Sequence, residues 1–112
     1  MKAFRSILVI TLFLTIVIPA SASIGFCNGN RYLEFSEGAK ISYVAGLSDM
    51  AKALIEHYEP EKYKKLCELT ENMTIGQLVK ILDKYLEENP EKLHHAVGSS
   101  FMHALDEIVY KE

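Results

Sequence analysis

Residues 74–90 read TIGQLVKILDKYLEENP, and this stretch decides the fold class. Thr74 followed three residues later by Gln77 is a capping box: the threonine hydroxyl accepts from the Gln77 N–H, and the glutamine side chain reaches back to the Thr74 N–H. Met73 and Leu78 stand where a hydrophobic staple places them. The helix so started continues through Leu82, Tyr85 and Leu86, spaced as one helix face requires. Asn89-Pro90 closes it and is expected to open the next helix, with Asn89 as N-cap and Pro90 at the first helical position.

The same periodicity extends in both directions. Downstream, Leu93, Val97, Phe101, Leu105 and Ile108 form a stripe that should be buried. Upstream, a helix is expected from about Ala39 to Tyr58, where Ile41, Val44, Leu47, Ala51, Leu54 and Ile55 step by three and four. Pro60 ends it, and Tyr63 to Leu66 are expected to form a turn. Glu37-Gly38 should break or bend the chain before the long helix. Ahead of them, the turn formers Asn28 to Asn30 lead into the short apolar segment of Tyr32, Leu33 and Phe35. Gly38, Ser42 and Gly46 recur every four residues. Such a stripe lets another backbone approach closely, and intramolecular packing is the expectation, with a dimer seam as the alternative. Four helical segments joined by short connections predict an all-α fold, a small four-helix-type bundle.

The first 22 residues have a different character. Lys2 and Arg5 precede an apolar run from Ile7 to Ile18, followed by Pro19 and Ala20-Ser21-Ala22, the A-x-A pattern cut by signal peptidase. The run falls short of the roughly 20 apolar residues a spanning helix needs. Residues 1–22 therefore read as a signal peptide cleaved after Ala22. Residues 23–112 form a single mature domain that works outside the cytoplasm, with no membrane association of its own. Without Lys2 and Arg5, ten basic residues face fifteen acidic ones, a formal charge of −5. No basic patch is present to hold phosphates, so nucleic acid is excluded as a partner. An acidic face steers basic protein partners instead.

Cys27 and Cys67 both lie in the mature part. An even count in an exported chain predicts one disulfide, Cys27–Cys67. It would close about 41 residues and stabilise the fold by roughly 3–4 kcal/mol in the loop-entropy account. There is no C-x-x-C and no paired histidine at ligand spacing, so no metal and no cofactor is expected. His95 and His103 are expected to share a helix face without a third ligand. The serines lie in helix-like contexts with no nucleophile elbow. No set of residues meets the role-and-geometry tests for catalysis, and no catalytic residue is assigned.

Taken together, Cys67, Thr74-Ile75-Gly76-Gln77-Leu78, Tyr85-Leu86, Asn89-Pro90-Glu91-Lys92-Leu93-His94 and Ala104-Leu105 resemble the C-terminal half of the Rap/Tai family, small periplasmic immunity proteins of type VI secretion systems. Asn28-Gly29-Asn30-Arg31 and Tyr43-Val44-Ala45-Gly46-Leu47-Ser48-Asp49 extend the resemblance over most of the mature chain. The resemblance implies an all-α, non-enzymatic protein, often a homodimer. It also implies that the protein neutralises a cognate peptidoglycan amidase in the periplasm by covering its catalytic cleft. The chain departs from the family in its cysteines: Ser36 and a non-cysteine near Lys40 stand where a pair is usual, and the end lacks the usual Pro-Cys.

That mode of action needs a projecting element. The expected one is Glu87-Glu88-Asn89-Pro90-Glu91 continuing to His94, three carboxylates on a stretch stiffened by proline. A second candidate is the segment Glu68-Leu69-Thr70-Glu71-Asn72, expected to be a loop. A different functional class, a periplasmic acid-stress chaperone or general protein-binding module, also fits a small exported helical chain. Such a chaperone would expose apolar surface as its carboxylates protonate.

Overall fold

Ser36 sets the start of the longest helix. In the computed structural model, which describes residues 26–111, its hydroxyl accepts from the Ala39 N–H at 3.2 Å. Glu37 follows at the first helical position, where a carboxylate favours the positive helix end. Glu37-Gly38 therefore begins the helix and does not break it. Five α-helices make up most of the described residues: α1 (Gly29–Leu33), α2 (Glu37–Tyr58), α3 (Pro60–Thr70), α4 (Ile75–Glu88) and α5 (Val97–Tyr110). A 3-10 turn, Pro90–Lys92, separates α4 from α5. The expected signal peptide, residues 1–22, and its expected cleavage site lie outside the described residues.

The all-α expectation holds, with one helix more than the sequence suggested. Tyr63 to Leu66 are not a turn but the interior of α3. Pro60 ends α2 and supplies the first position of α3, where its missing N–H costs nothing. Leu66 is wholly buried, and the Thr70 hydroxyl donates to the Leu66 carbonyl at 2.8 Å. Glu68-Leu69-Thr70 are thus helical, and only Glu71-Asn72 form the turn of the segment expected as a loop. The capping box of α4 is formed in full: Gln77 N–H to the Thr74 hydroxyl at 3.2 Å, Thr74 N–H to the Gln77 side-chain oxygen at 2.8 Å.

α2 is the spine. Its inward face of Val44, Ser48, Ala51 and Ile55 packs on α3 and α4, and α5 closes the bundle against α3 and α4. Tyr32, Val44, Ile55, Leu66, Leu82, Leu86, Val97, Phe101 and Val109 are wholly buried. Each of the aliphatic side chains among them, and Phe101, contributes about 1.5–3 kcal/mol by leaving water. At one end Tyr32, Phe35 and Tyr43 form an aromatic triangle with ring centroids 5.8–6.0 Å apart.

Two ion pairs fix the helices in register. Lys40, buried on α2, lies 3.3 Å from Asp83 on α4 and 5.4 Å from the centroid of the Tyr32 ring. Burial, with Asp83 beside the hydroxyl, holds Tyr32 protonated well beyond the usual tyrosine range. The Lys40–Asp83 pair is only part-buried, so breaking it costs less than the roughly 3–5 kcal/mol of a fully buried one. On the other side, Lys62 of α3 pairs with Asp106 of α5 and with Glu59 at 3.3 Å. Burial opposes its charge, but the two carboxylates outweigh it and hold the ammonium above the ordinary lysine value.

The stripe of Gly38, Ser42 and Gly46 does not serve intramolecular packing. All three are exposed, and a Cβ added at Gly38 or Gly46 meets nothing within 4 Å. The period of four was read correctly, but the buried face of α2 lies opposite, on Lys40, Val44 and Ser48.

Candidate partner-binding site

Glu87 and Glu88 end α4, and with the largely exposed connection that follows to His95 they form the candidate projection. Glu87, Glu88, Pro90, Glu91, His94 and His95 are exposed, while Asn89, Lys92 and Leu93 are half-buried and form its root. Asn89 does not act as the N-cap of the last helix. Its side-chain amide donates to the Tyr85 carbonyl at 2.8 Å and so caps the C-terminus of α4. Pro90 opens the 3-10 turn, closed by Lys92 N–H to the Asn89 carbonyl at 2.9 Å and Leu93 N–H to the Pro90 carbonyl at 3.3 Å. α5 starts only at Val97, with no side-chain cap. Leu93 therefore sits in the connection, while Val97, Phe101 and Leu105 are buried on α5 as expected.

The projection is held from two sides. From below, the Lys92 ammonium donates to the Tyr85 hydroxyl at 3.2 Å and lies 5.7 Å from that ring's centroid. From the side, the start of the described chain is laid against the backbone. Asn30 N–H donates to the Leu93 carbonyl at 3.1 Å, Gly29 N–H to the His95 carbonyl at 3.3 Å, and Val97 N–H to the Cys27 carbonyl at 2.9 Å. Asn28, whose side chain caps α1 by accepting from the Arg31 N–H, pairs with Ala96 in an isolated bridge. Gly29 is buried where a Cβ would stand 3.0 Å from a Leu86 methyl and 3.2 Å from the Leu93 Cα. Glycine is needed here for close approach.

The exposed groups are therefore carboxylates and imidazoles on a backbone with few freedoms. Glu88 faces Lys84 at 3.9 Å, both exposed, so the pair contributes little and Glu88 stays available. His94 and His95 stack edge to face, centroids 4.3 Å apart. His95 lies before α5 and shares no helix face with His103. Beside Glu88, a shallow groove of about 130 Å³ runs between α4 and α5, lined by Ile81, Tyr85, Ala104 and Ile108 with Lys84, Glu107 and Lys111 at its edges. That is below the roughly 300 Å³ at which small-molecule pockets begin. Among the described residues no three His, Cys, Asp or Glu side chains converge as metal ligands.

The structure brings Glu87, Glu88, Asn89, Pro90, Glu91 and His94 together on one projection. Sequence reasoning missed the clamp: Gly29, Asn30, Lys92 and His95. A glycine between two asparagines was visible, but its partners Leu86, Leu93 and His95 lie 57 to 66 residues away. The expected Cys27–Cys67 bond is not formed, and both thiols are free. Cys27 sits against Asn28 and Tyr43 at the clamp, while Cys67 neighbours Tyr63 within α3. Pairing was inferred from an even count, which carries no distance; each sulfur has a local partner in a different part of the bundle.

Glu87 to His95 thus present exposed carboxylates and imidazoles on a hydrogen-bonded backbone. Residues 20–107 match the Rap1a immunity proteins, so the chain belongs to that family. Comparison with curated proteins and with solved structures finds no match.

Proposed function

We propose that this chain protects its producer in the periplasm, after loss of residues 1–22, by capping the catalytic cleft of a type VI secreted peptidoglycan amidase with the Glu87–His94 projection. The observation that carries this reading is the clamp. In a member of the Rap1a immunity family, it fixes the backbone beneath three exposed carboxylates and two imidazoles, so little ordering entropy is lost on docking. The acidic surplus speeds encounter with a basic cleft rim. In this reading the chain hydrolyses nothing, and its partners are the amidase and a second copy of itself.

The test uses a Cys-His amidase encoded beside the gene. Charge reversal at Glu87, Glu88 and Glu91 together, with helicity checked by circular dichroism, is expected to weaken binding and abolish protection. Unchanged affinity with an intact fold removes this projection as the inhibitory element.

A further inference from the structure

The groove between α4 and α5 has the size and lining of a seat for one side chain. Its two walls repeat the same spacing: Ile81, Tyr85 and Glu88 from α4, Ala104, Ile108 and Lys111 from α5. Steps of four and three set each trio on one helix face. The floor is apolar. Tyr85 and Ala104 are 3% and 2% exposed, and Ile81 and Ile108 are half-buried against the core. The volume of about 130 Å³ is close to the roughly 150 Å³ of an apolar cavity that takes benzene. The rim sets Lys84 and Lys111 against Glu88 and Glu107, so it has no net charge and the floor selects the occupant.

Glu88 belongs both to this groove and to the projection. A stable protein–protein contact takes about 20–30 residues a side, and the projection exposes six between Glu87 and His95. A partner that docks there must spread onto adjoining surface. On the flank held by α1, exposed Asn30 and Arg31 offer no apolar hold, and Arg31 repels the basic rim that the carboxylates attract. On the Glu88 flank lies the groove.

We propose that this groove receives one apolar side chain of the effector, of leucine or phenylalanine size, with a lysine or arginine beside it on Glu88. This rests on the docking proposed for the projection and names what the partner must present. Exposed charge pairs mainly set encounter rate and register, whereas affinity concentrates in side chains that leave water in a fitted pocket. The floor supplies that pocket, and the charged rim keeps water from its edge. Glu88 is held only loosely by Lys84, at 3.9 Å with both exposed, and is free to turn to the incoming cation.

The test uses the mature protein and the Cys-His amidase encoded beside the gene. Ile81→Gln and, independently, Ile108→Gln should keep native helicity and weaken amidase binding about tenfold. In methyl spectra of isoleucine-labelled protein, the Ile81 and Ile108 signals should shift as amidase is added. Benzylamine, a phenyl ring beside a cation, is the small probe. At millimolar concentration it should shift the same two signals, and Glu88→Gln should weaken that response. Glutamine variants that bind as tightly as the natural protein, with the fold intact, overturn the groove and leave the projection standing. Binding lost in them but kept after charge reversal at Glu87, Glu88 and Glu91 supports the groove and removes the projection. Isoleucine signals that shift with protein concentration alone assign the groove to a second copy and overturn the proposal. If the amidase does not bind at all, the proposed function fails, and an absent benzylamine response overturns the groove with it.

Discussion

Replacing Gly29 by alanine tests the clamp most directly. The new methyl would lie 3.0 Å from Leu86 Cδ2, 3.1 Å from Leu93 Cδ2 and 3.2 Å from Leu93 Cα. Comfortable carbon contacts are about 3.5–4.0 Å. The leucine methyls can rotate away, but the Leu93 Cα is backbone, held by the Asn30 hydrogen bond at 3.1 Å. Either α1 or the projection must move. Overpacking of this kind costs about 1–3 kcal/mol. Alanine returns up to about 1 kcal/mol of helix propensity, less at the first position of a short helix. The net expectation is a loss of about 1–2 kcal/mol, and at about 4–8 °C per kcal/mol for a domain of this size the melting temperature falls by about 4–16 °C. Gly46→Ala is the control: its Cβ meets nothing within 4 Å in mid-helix, so it should stabilise by about 0.5–1 kcal/mol. Urea unfolding followed by circular dichroism, at sub-micromolar protein, measures both. On the proposed function, affinity for the amidase should fall for Gly29→Ala and hold for Gly46→Ala. If the two variants stabilise alike, the projection is not clamped and the reasoning fails.

The alkaline limit of stability should be set by Lys62 and Tyr32. Both have folded pKa values raised above their ordinary ones, so their stabilisation is complete below about pH 10 and is lost as pH rises through the folded values. Lys62→Met should remove about 1 kcal/mol near neutrality and flatten the fall above pH 10, and in a tyrosinate absorbance titration Tyr32 should ionise last, together with unfolding. The thiols give a further check: alkylation of the intact mature protein under non-reducing conditions should label both Cys27 and Cys67. An unlabelled monomer lighter by two hydrogens would instead establish the bond between them.

The sequence by itself determined where α4 begins and where α2 and α4 end. The capping box at Thr74 and the proline boundary at Pro60 act within three or four residues, and each is read without knowing what lies across the bundle; the Ser36 cap is equally local but went unread. The sequence reading missed that Pro60 starts a helix as well as stopping one, because Tyr63 to Leu66 alone are too short to show a period. The carboxylates of the projection were legible as a charged turn after a helix. What held that turn was not, since Gly29 and Asn30 reach Leu93 and His95 only after α1 is laid against the start of α5. The sequence reading put Ile41 and Leu54 on one apolar face of α2 with Val44, Ala51 and Ile55, but both are exposed. Apolar and small residues line both faces of the helix, and only the docking of α3 and α4 decides that Val44 and Ile55 go inward while Met50 and Leu54 stay out. Cys27 and Cys67 were separated for the same reason. Local hydrogen bonds fix helix ends, but burial depends on which surfaces meet, and that is a property of the packed chain.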